Sequence, residues 1–79
     1  MKAEILKRIR LSNGYYDFRG AVDGVTRIHG KALGVVMPAQ YVESLSETEA
    51  DAFVKEELCA QYDALTRATQ GQLGGAYVR

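Results

Sequence analysis

The chain has 79 residues, of which 47% are apolar and one is proline, and its formal net charge at pH 7 is zero. This length predicts a single domain with a small core, and the apolar content argues against a chain that is disordered throughout. A zero net charge argues against a strongly electrostatic, non-specific nucleic-acid binder, because such proteins carry an excess of Lys and Arg.

The first segment, residues 3–11 (AEILKRIRL), fits either a strand or a short helix. As a strand it would place Ile5, Ile9 and Leu11 on one face, and as a helix its apolar residues would form a short stripe. We favour the strand, because the next segment has the pattern of its hairpin partner.

That partner is residues 15–22 (YYDFRGAV), in which Tyr16, Phe18 and Val22 share one face of a strand. Asn13-Gly14 precedes it and supplies turn residues that tolerate a positive φ. Asp23-Gly24 follows it between two valines, which is the strongest short hairpin signal in the chain.

The returning strand is predicted over residues 25–29, and Gly30-Lys31 allows a second tight turn. The apolar run 32–37 (ALGVVM) predicts a further strand, either central or at the outside of the sheet. Pro38 should end it, since proline cannot donate to the strand ladder. Residues 38–45 are expected to form a connection or one helical turn that carries Tyr41, Val42 and Leu45 into the core.

Residues 46–70 predict one long amphipathic helix. Ser46 and Glu49 have the spacing of a capping box, in which each side chain bonds the backbone N–H of the other residue. At about 100° per residue, one side of this helix is apolar and should cover the sheet: Ala50, Val54, Leu58, Leu65 and Ala68, flanked by Phe53 and Tyr62. Gln61 falls inside this stripe, so we expect its amide to bond backbone at the sheet edge. Gly71 stands where a left-handed residue would end the helix.

These elements predict an α+β fold: a three- or four-stranded antiparallel meander (β-β-β-β) covered on one face by a single long C-terminal helix. An amphipathic sheet must bury its apolar face, and this helix is the available cover. We expect one domain over residues 1–70 and a mobile tail over residues 71–79, where Tyr77-Val78 could add an edge strand.

No constellation of catalytic residues is evident, so we expect a protein without enzymatic activity, metal or cofactor. His29 is the only histidine and Cys59 the only cysteine, and the predicted elements place them apart. The single cysteine excludes an internal disulfide and predicts a reducing compartment. The charged start of the chain does not resemble a signal peptide, and no apolar run approaches the length of a membrane span. We therefore expect a soluble protein of the cytoplasm.

The charges are divided between the two halves of the chain. Residues 1–31 carry seven basic and three acidic side chains, a net +4, and residues 32–79 carry three and seven, a net −4. On the helix, Asp51–Lys55 and Asp63–Arg67 have the favourable i,i+4 order of ion pairs. The far side of the helix carries Glu49, Glu56, Asp63 and Arg67, together with Cys59.

This charge division suggests a small protein-interaction module, such as a regulator, adaptor or inhibitor that occupies the surface of another protein. Compact phage-encoded or plasmid-encoded modulators have this character. Two surfaces compete as the partner-binding site: the outward helix face (Glu49, Glu56, Asp63, Arg67) and the basic strands (Arg8, Arg10, Arg19, with Tyr15). Tyrosine and arginine are enriched at interface hot spots, and Tyr16, Tyr41 and Tyr77 are further contact candidates.

Residues 30–45 (GKALGVVMPAQYVESL) resemble the half-motif of the swapped-hairpin antitoxins and transition-state regulators, in which a glycine-led strand reaches an Ile-Pro or Met-Pro step before a short helix. The resemblance implies an intertwined dimer that binds operator DNA, with Arg27 and Lys31 at the matching basic positions. The chain departs from the family after Leu45, where a capped helix replaces a strand pair. A small dimeric DNA-binding regulator is therefore the alternative function.

A homodimer is also expected. The core is small and the sheet should leave an unpaired strand edge, which proteins of this size often cover by association.

Overall fold

The computed structural model describes the backbone of residues 1–74 and the side chains of residues 1–67. The elements of this part are β1 (Ala3–Arg10), β2 (Tyr15–Val22), β3 (Arg27–Ile28), β4 (Lys31–Ala32), β5 (Gly34–Pro38), α1 (Ala39–Glu43) and α2 (Glu47–Gly74). All strand pairs are antiparallel, and α2 packs against the three-stranded sheet of β1, β2 and β5. The predicted α+β class is confirmed, and the ambiguous segment 3–11 is a strand.

The sheet has the order β1-β2-β5, while β3 and β4 form a separate two-stranded hairpin. The chain thus leaves the sheet after β2 and returns beside the same strand. The tight turn of this hairpin is centred on His29 and Gly30, whose φ angles are +53° and +79°, one residue earlier than the Gly30-Lys31 turn that we predicted. The apolar run 32–37 divides at the buried Leu33 and supplies an outer strand of the sheet.

The two other predicted turns are present. Asp23 and Gly24 have φ angles of +52° and +80°, as a two-residue type I′ hairpin turn requires. The N–H groups of Val22 and Val25 each donate to the other residue's carbonyl, at 3.0 and 2.9 Å. At the first turn the Asn13 side chain accepts from the Tyr15 N–H at 3.2 Å.

The core lies between β2 and α2. Its largest fully buried side chains are Phe18, Leu33, Leu58, Val22 and Val54. Gly20 marks the closest approach of helix and sheet, because a Cβ there would stand 2.5 Å from Leu58 Cδ1 and would also meet the Glu4 carbonyl oxygen. The helix can lie this close only where the strand has no side chain.

A bulge in β1 changes which residues face the helix. The pairing shifts register between Ile5 and Lys7, so that Ile5 lies opposite Gly20 but Arg8 lies opposite Phe18. Since side chains alternate along a strand, one inserted residue exchanges the two faces beyond it. Our prediction that Ile5 and Ile9 share a face is therefore wrong: Ile9 points away from the helix.

Helix α2 begins with the predicted capping box: the Ser46 N–H donates to Glu49 Oε1 at 3.0 Å, and the Glu49 N–H donates to Ser46 Oγ at 3.1 Å. The predicted role of Gln61 is confirmed, because its Oε1 accepts from the Gly34 N–H at 2.9 Å. The helix does not end at Gly71 but continues to Gly74, and glycine inside a helix costs only about 1 kcal/mol.

Two side-chain positions differ from our predictions. Cys59 is half-buried and packs against the core instead of facing outward. Tyr41 is nearly half exposed and makes an edge contact with Phe53, although its neighbour Val42 is buried as predicted. The predicted tail overlaps α2 up to Gly74, and residues 75–79, with Tyr77 and Val78, lie outside the described part of the chain.

Candidate functional site

The sheet has one covered and one uncovered face. Helix α2 packs on the side of Phe18 and Leu58, and the opposite side carries the alternate residues of each strand. We call this opposite side the outer face, and its central row runs from Ile9 through Asp17 to Val36. The next rows run through Arg19 and Tyr15.

The outer face exposes most of the large apolar side chains that are accessible in the described part of the chain. Four of the six such side chains lie on it: Val36 (60% exposed), Leu6 (59%), Tyr15 (42%) and Ile9 (40%). Single exposed apolar residues are ordinary on protein surfaces, and it is their grouping on one sheet face that singles this face out. We therefore take the outer face as the candidate functional site.

Arg19 is held in a defined position on this face. Its Nε donates to Asp17 Oδ1 at 3.1 Å, and its Nη2 donates to Asp17 Oδ2 at 3.3 Å. Its stem crosses β5 at Gly34, where a Cβ would stand 3.0 Å from Arg19 Cδ. The Arg19 side chain still keeps 49% of its surface exposed. It is thus a preorganised cation available to a partner.

A groove of about 340 Å³ opens where the outer face meets the β3–β4 hairpin. Its apolar lining comes from Leu6, Ile9, Ala32 and Leu33, and its polar lining from Lys7, Asp17, Arg19, Thr26 and Arg27. Three cations and one carboxylate give these walls a formal charge of +2. Arg27 Nη1 donates to the Gly30 carbonyl at 2.8 Å, which anchors that guanidinium to its own hairpin.

Arg8 does not belong to this surface. The β1 bulge turns it to the helix side, where its guanidinium lies 5.4 Å from the centre of the Phe18 ring. Its Nη2 pairs with Asp51 and its Nη1 lies 3.5 Å from Glu47 Oε2, both on α2. Asp51 therefore binds β1, where we had predicted a pair with Lys55. The contacts of Arg8 join the sheet to the helix.

Arg10 likewise pairs with an acidic residue of a helix, in this case of α1. Its Nε donates to Glu43 Oε2 at 3.1 Å, and the Tyr16 hydroxyl donates to the same oxygen at 3.3 Å. Of the residues that we assigned to a basic strand surface, Arg8 and Arg10 thus face the helices. Arg19 and Tyr15 remain together on the outer face.

Three of the four residues predicted as a binding surface on α2 are engaged within the helix region: Glu49, Asp63 and Arg67. Asp63 and Arg67 form the predicted i,i+4 pair at 3.1 Å. Glu49 is used by the capping box, and the Ser46 N–H, followed by the Ser46 hydroxyl, lowers the pKa of its carboxyl. Glu56 is exposed on the same side of α2. The four residues predicted as a binding surface on α2 thus lie on one side of the helix, and all except Glu56 already have a partner within the described part of the chain.

The two residues assigned to DNA contact lie on the β3–β4 hairpin. Arg27 belongs to β3 and Lys31 to β4, and both are exposed. His29 stands in the turn between these strands, whereas Cys59 lies on α2 against the core. Among the described residues, no three His, Cys, Asp or Glu side chains come together as a metal site, and no helix is long and apolar enough to cross a membrane.

Sequence reasoning missed three residues of the outer face: Leu6, Ile9 and Val36. The position of Val36 could have been predicted from the sequence. Side chains alternate along GVVMP, so Val36 points to the other face of the sheet from its neighbours Val35 and Met37, which face the helix. The positions of Leu6 and Ile9 could not, because the bulge that exposes them is a property of strand pairing. Comparisons of the chain with protein-family models, curated proteins and solved structures gave no match.

Proposed function

We propose that this chain is a non-enzymatic protein-interaction module of the cytoplasm that docks another protein on its outer face. The observation that carries the proposal is the group of exposed apolar side chains around the fixed Arg19: Leu6, Ile9, Tyr15 and Val36. Tyrosine and arginine are enriched at interface hot spots, and the aliphatic side chains beside them add apolar surface that docking would remove from water.

The outer face suits a partner better than the outward side of α2 does. Desolvating charges is costly unless they find new partners, and a protein docking on α2 would have to cover Asp63, Arg67 and Glu56. Docking on the outer face would also cover an ion pair, that of Asp17 and Arg19. It would in addition remove exposed apolar side chains from water, which is favourable by roughly 25 cal/mol per Å² and which the described part of α2 does not offer. Arg19 would keep its Asp17 partner during docking.

Site-specific photocrosslinking in the native host tests this surface. A photoreactive amino acid at Val36 should crosslink one defined protein, and a matched probe at Glu56 on the far side of α2 should not. Val36→Asp, introduced with the probe at Tyr15, should abolish capture of the same protein by placing a charge in the interface. Glu56→Arg is the control and should leave that capture unchanged. Crosslinking from Glu56 alone, or full capture by the Val36→Asp protein, would refute the proposal.

The alternative is a DNA-binding regulator that uses Arg27 and Lys31. Its support is the basic lining of the groove, in which Lys7 and Arg19 of the sheet add positive charge to that of Arg27 on the hairpin. The carboxylate of Asp17 in the same lining and the ion pairs of Arg8 and Arg10 reduce the positive potential available to phosphates. A true binder should lose affinity steeply as salt rises. Absence of DNA retention at low salt would eliminate this alternative.

A further inference from the structure

We propose that the groove beside the outer face receives an acidic side chain of the docked partner, from a segment that also carries an aliphatic residue. This inference rests on the proposed function and specifies the chemistry of the partner.

The charge of the groove points to an anion. Lys7, Arg19 and Arg27 line it together with the single carboxylate of Asp17. Arg19 already shares its charge with Asp17, whereas Lys7 makes no ion pair with any residue of the described part. A carboxylate that enters the groove would meet Lys7 and Arg27, neither of which pairs with a carboxylate in the described part of the chain. Its negative charge would complement the positive walls.

The shape and the apolar lining narrow the ligand further. The volume of about 340 Å³ has room for one or two side chains, and residues of the outer face form part of the lining. Leu6 and Ile9 border it and continue into the apolar surface, and the Thr26 hydroxyl supplies a hydrogen-bonding group. An aliphatic residue next to the acidic one would cover Leu6 and Ile9 as the carboxylate enters.

The test uses the whole chain and two isosteric probes, acetyl-Leu-Glu-amide and acetyl-Leu-Gln-amide, which differ only in charge. In ¹⁵N-labelled protein, the Glu probe should cause saturable shifts of the amide signals of Lys7, Arg19, Thr26 and Arg27. The Gln probe should bind at least about threefold more weakly, as expected for loss of a partly exposed charge pair. Equal binding of both probes, or no shifts at about 20 mM, would overturn the inference, since a dipeptide in a fitting groove should bind in the millimolar range.

Charge variants locate the effect. Lys7→Gln and Arg27→Gln should each weaken the Glu probe by about two- to fivefold, and Lys55→Gln on α2 is the matched control that should change nothing. An equal loss in the Lys55→Gln protein would reduce the effect to overall charge and contradict a groove site.

The two proposals fail separately. If Val36→Asp abolishes capture of the host protein but the probes do not bind in the groove, the outer face stands as the docking site and the acidic side chain is refuted. If the Glu probe binds in the groove while Val36→Asp leaves capture intact, the docking proposal is refuted and the groove remains a carboxylate site.

Discussion

At the scale of single residues, two glycines and two arginines decide how closely the elements pack and which contacts join them. Gly20 lets α2 approach β2, and Gly34 lets the Arg19 stem cross β5. In both places an absent side chain on one strand makes room for a side chain from elsewhere. Arg8 and Arg19 lie on the neighbouring strands β1 and β2, but their side chains point to opposite faces of the sheet. Arg8 binds the helix, whereas Arg19 lies on the outer face.

Gly20→Ala should destabilise the protein. The added methyl group meets both the Glu4 carbonyl and Leu58, and the backbone carbonyl cannot move without disturbing β1. Overpacking of this kind costs roughly 1–3 kcal/mol, to be measured as the free energy of unfolding in urea. Gly24→Asn is the control, because it adds a side chain in open space at a φ that asparagine tolerates. A loss no larger than that of the control would contradict the close approach.

The carboxyl of Glu49 should titrate below its ordinary pKa, which carbon-detected NMR of the side chain can measure. The Ser46 N–H is the main cause and the Ser46 hydroxyl the second. Because the folded pKa is lowered, this contribution to stability is present above the unfolded pKa and is lost as the pH falls through the folded one. Ser46→Ala should raise the pKa part of the way, since the N–H remains. An unchanged pKa in that variant would exclude the hydroxyl bond.

At the scale of elements, the bulge in β1 decides the two faces of the sheet. Before it, Ala3 and Ile5 lie on the helix side, and after it Arg8 and Arg10 do. The same shift sends Ile9 to the outer face. The candidate site and the sheet–helix ion pairs therefore both depend on one extra residue in a single strand.

The Arg8–Asp51 contact should couple β1 to the start of α2. In a double-mutant cycle with Arg8→Ala and Asp51→Ala, we expect a coupling free energy of about 0.5–1 kcal/mol in urea unfolding. Arg8→Ala should cost more than Asp51→Ala, because it also removes a cation–π contact with Phe18 of about 0.5–1 kcal/mol.

A second cycle on Asp63 and Arg67, which pair within α2, provides the comparison and should give only about 0.3–0.5 kcal/mol. A coupling between Arg8 and Asp51 below that value would show that the pair does not hold helix and sheet together.

At the scale of the whole molecule, the charge division along the sequence is largely resolved by folding. Basic residues of β1 meet acidic residues of α1 and the start of α2, so that the first strand and the middle of the sequence neutralise each other where the sheet meets the helices. Positive charge remains beside the outer face at Lys7 and Arg27, which line the groove, while Arg19 shares its charge with Asp17. A net charge computed over half a sequence thus overstates the charge that a partner would meet.

The homodimer stays a prediction, and the structure shows which strand edge is open to it. At β5 the Gly34 N–H is taken by Gln61, and Pro38 has no N–H to offer. The edge of β5 therefore offers few N–H donors, and the edge of β1 is the more open of the two. Small proteins often cover such an edge by association. Sedimentation equilibrium should show a dimer at ~100 µM, well above the micromolar range in which standard interfaces hold. A monomer at that concentration would end the prediction.

The local structure of this protein could be predicted where it depends on neighbours in sequence. The capping box needs Ser46 and Glu49 three residues apart, and the Asp23-Gly24 turn needs two residues that accept a positive φ. The apolar stripe of α2 repeats with the helical period, so Ala50, Val54 and Leu58 are buried as expected. Even the bond of Gln61 to the sheet edge follows from its place in that stripe.

The sequence by itself therefore determined the fold class, the strand β2 with the turns on either side of it, and the start and buried face of α2. Only the tertiary structure decided which residues of β1 face outward, that β5 returns beside β2, and that Arg8 binds Asp51. The reason is that a bulge and a strand order result from pairing between distant segments, whose energies depend on the whole set of contacts. The candidate site lies on the face that this pairing leaves open.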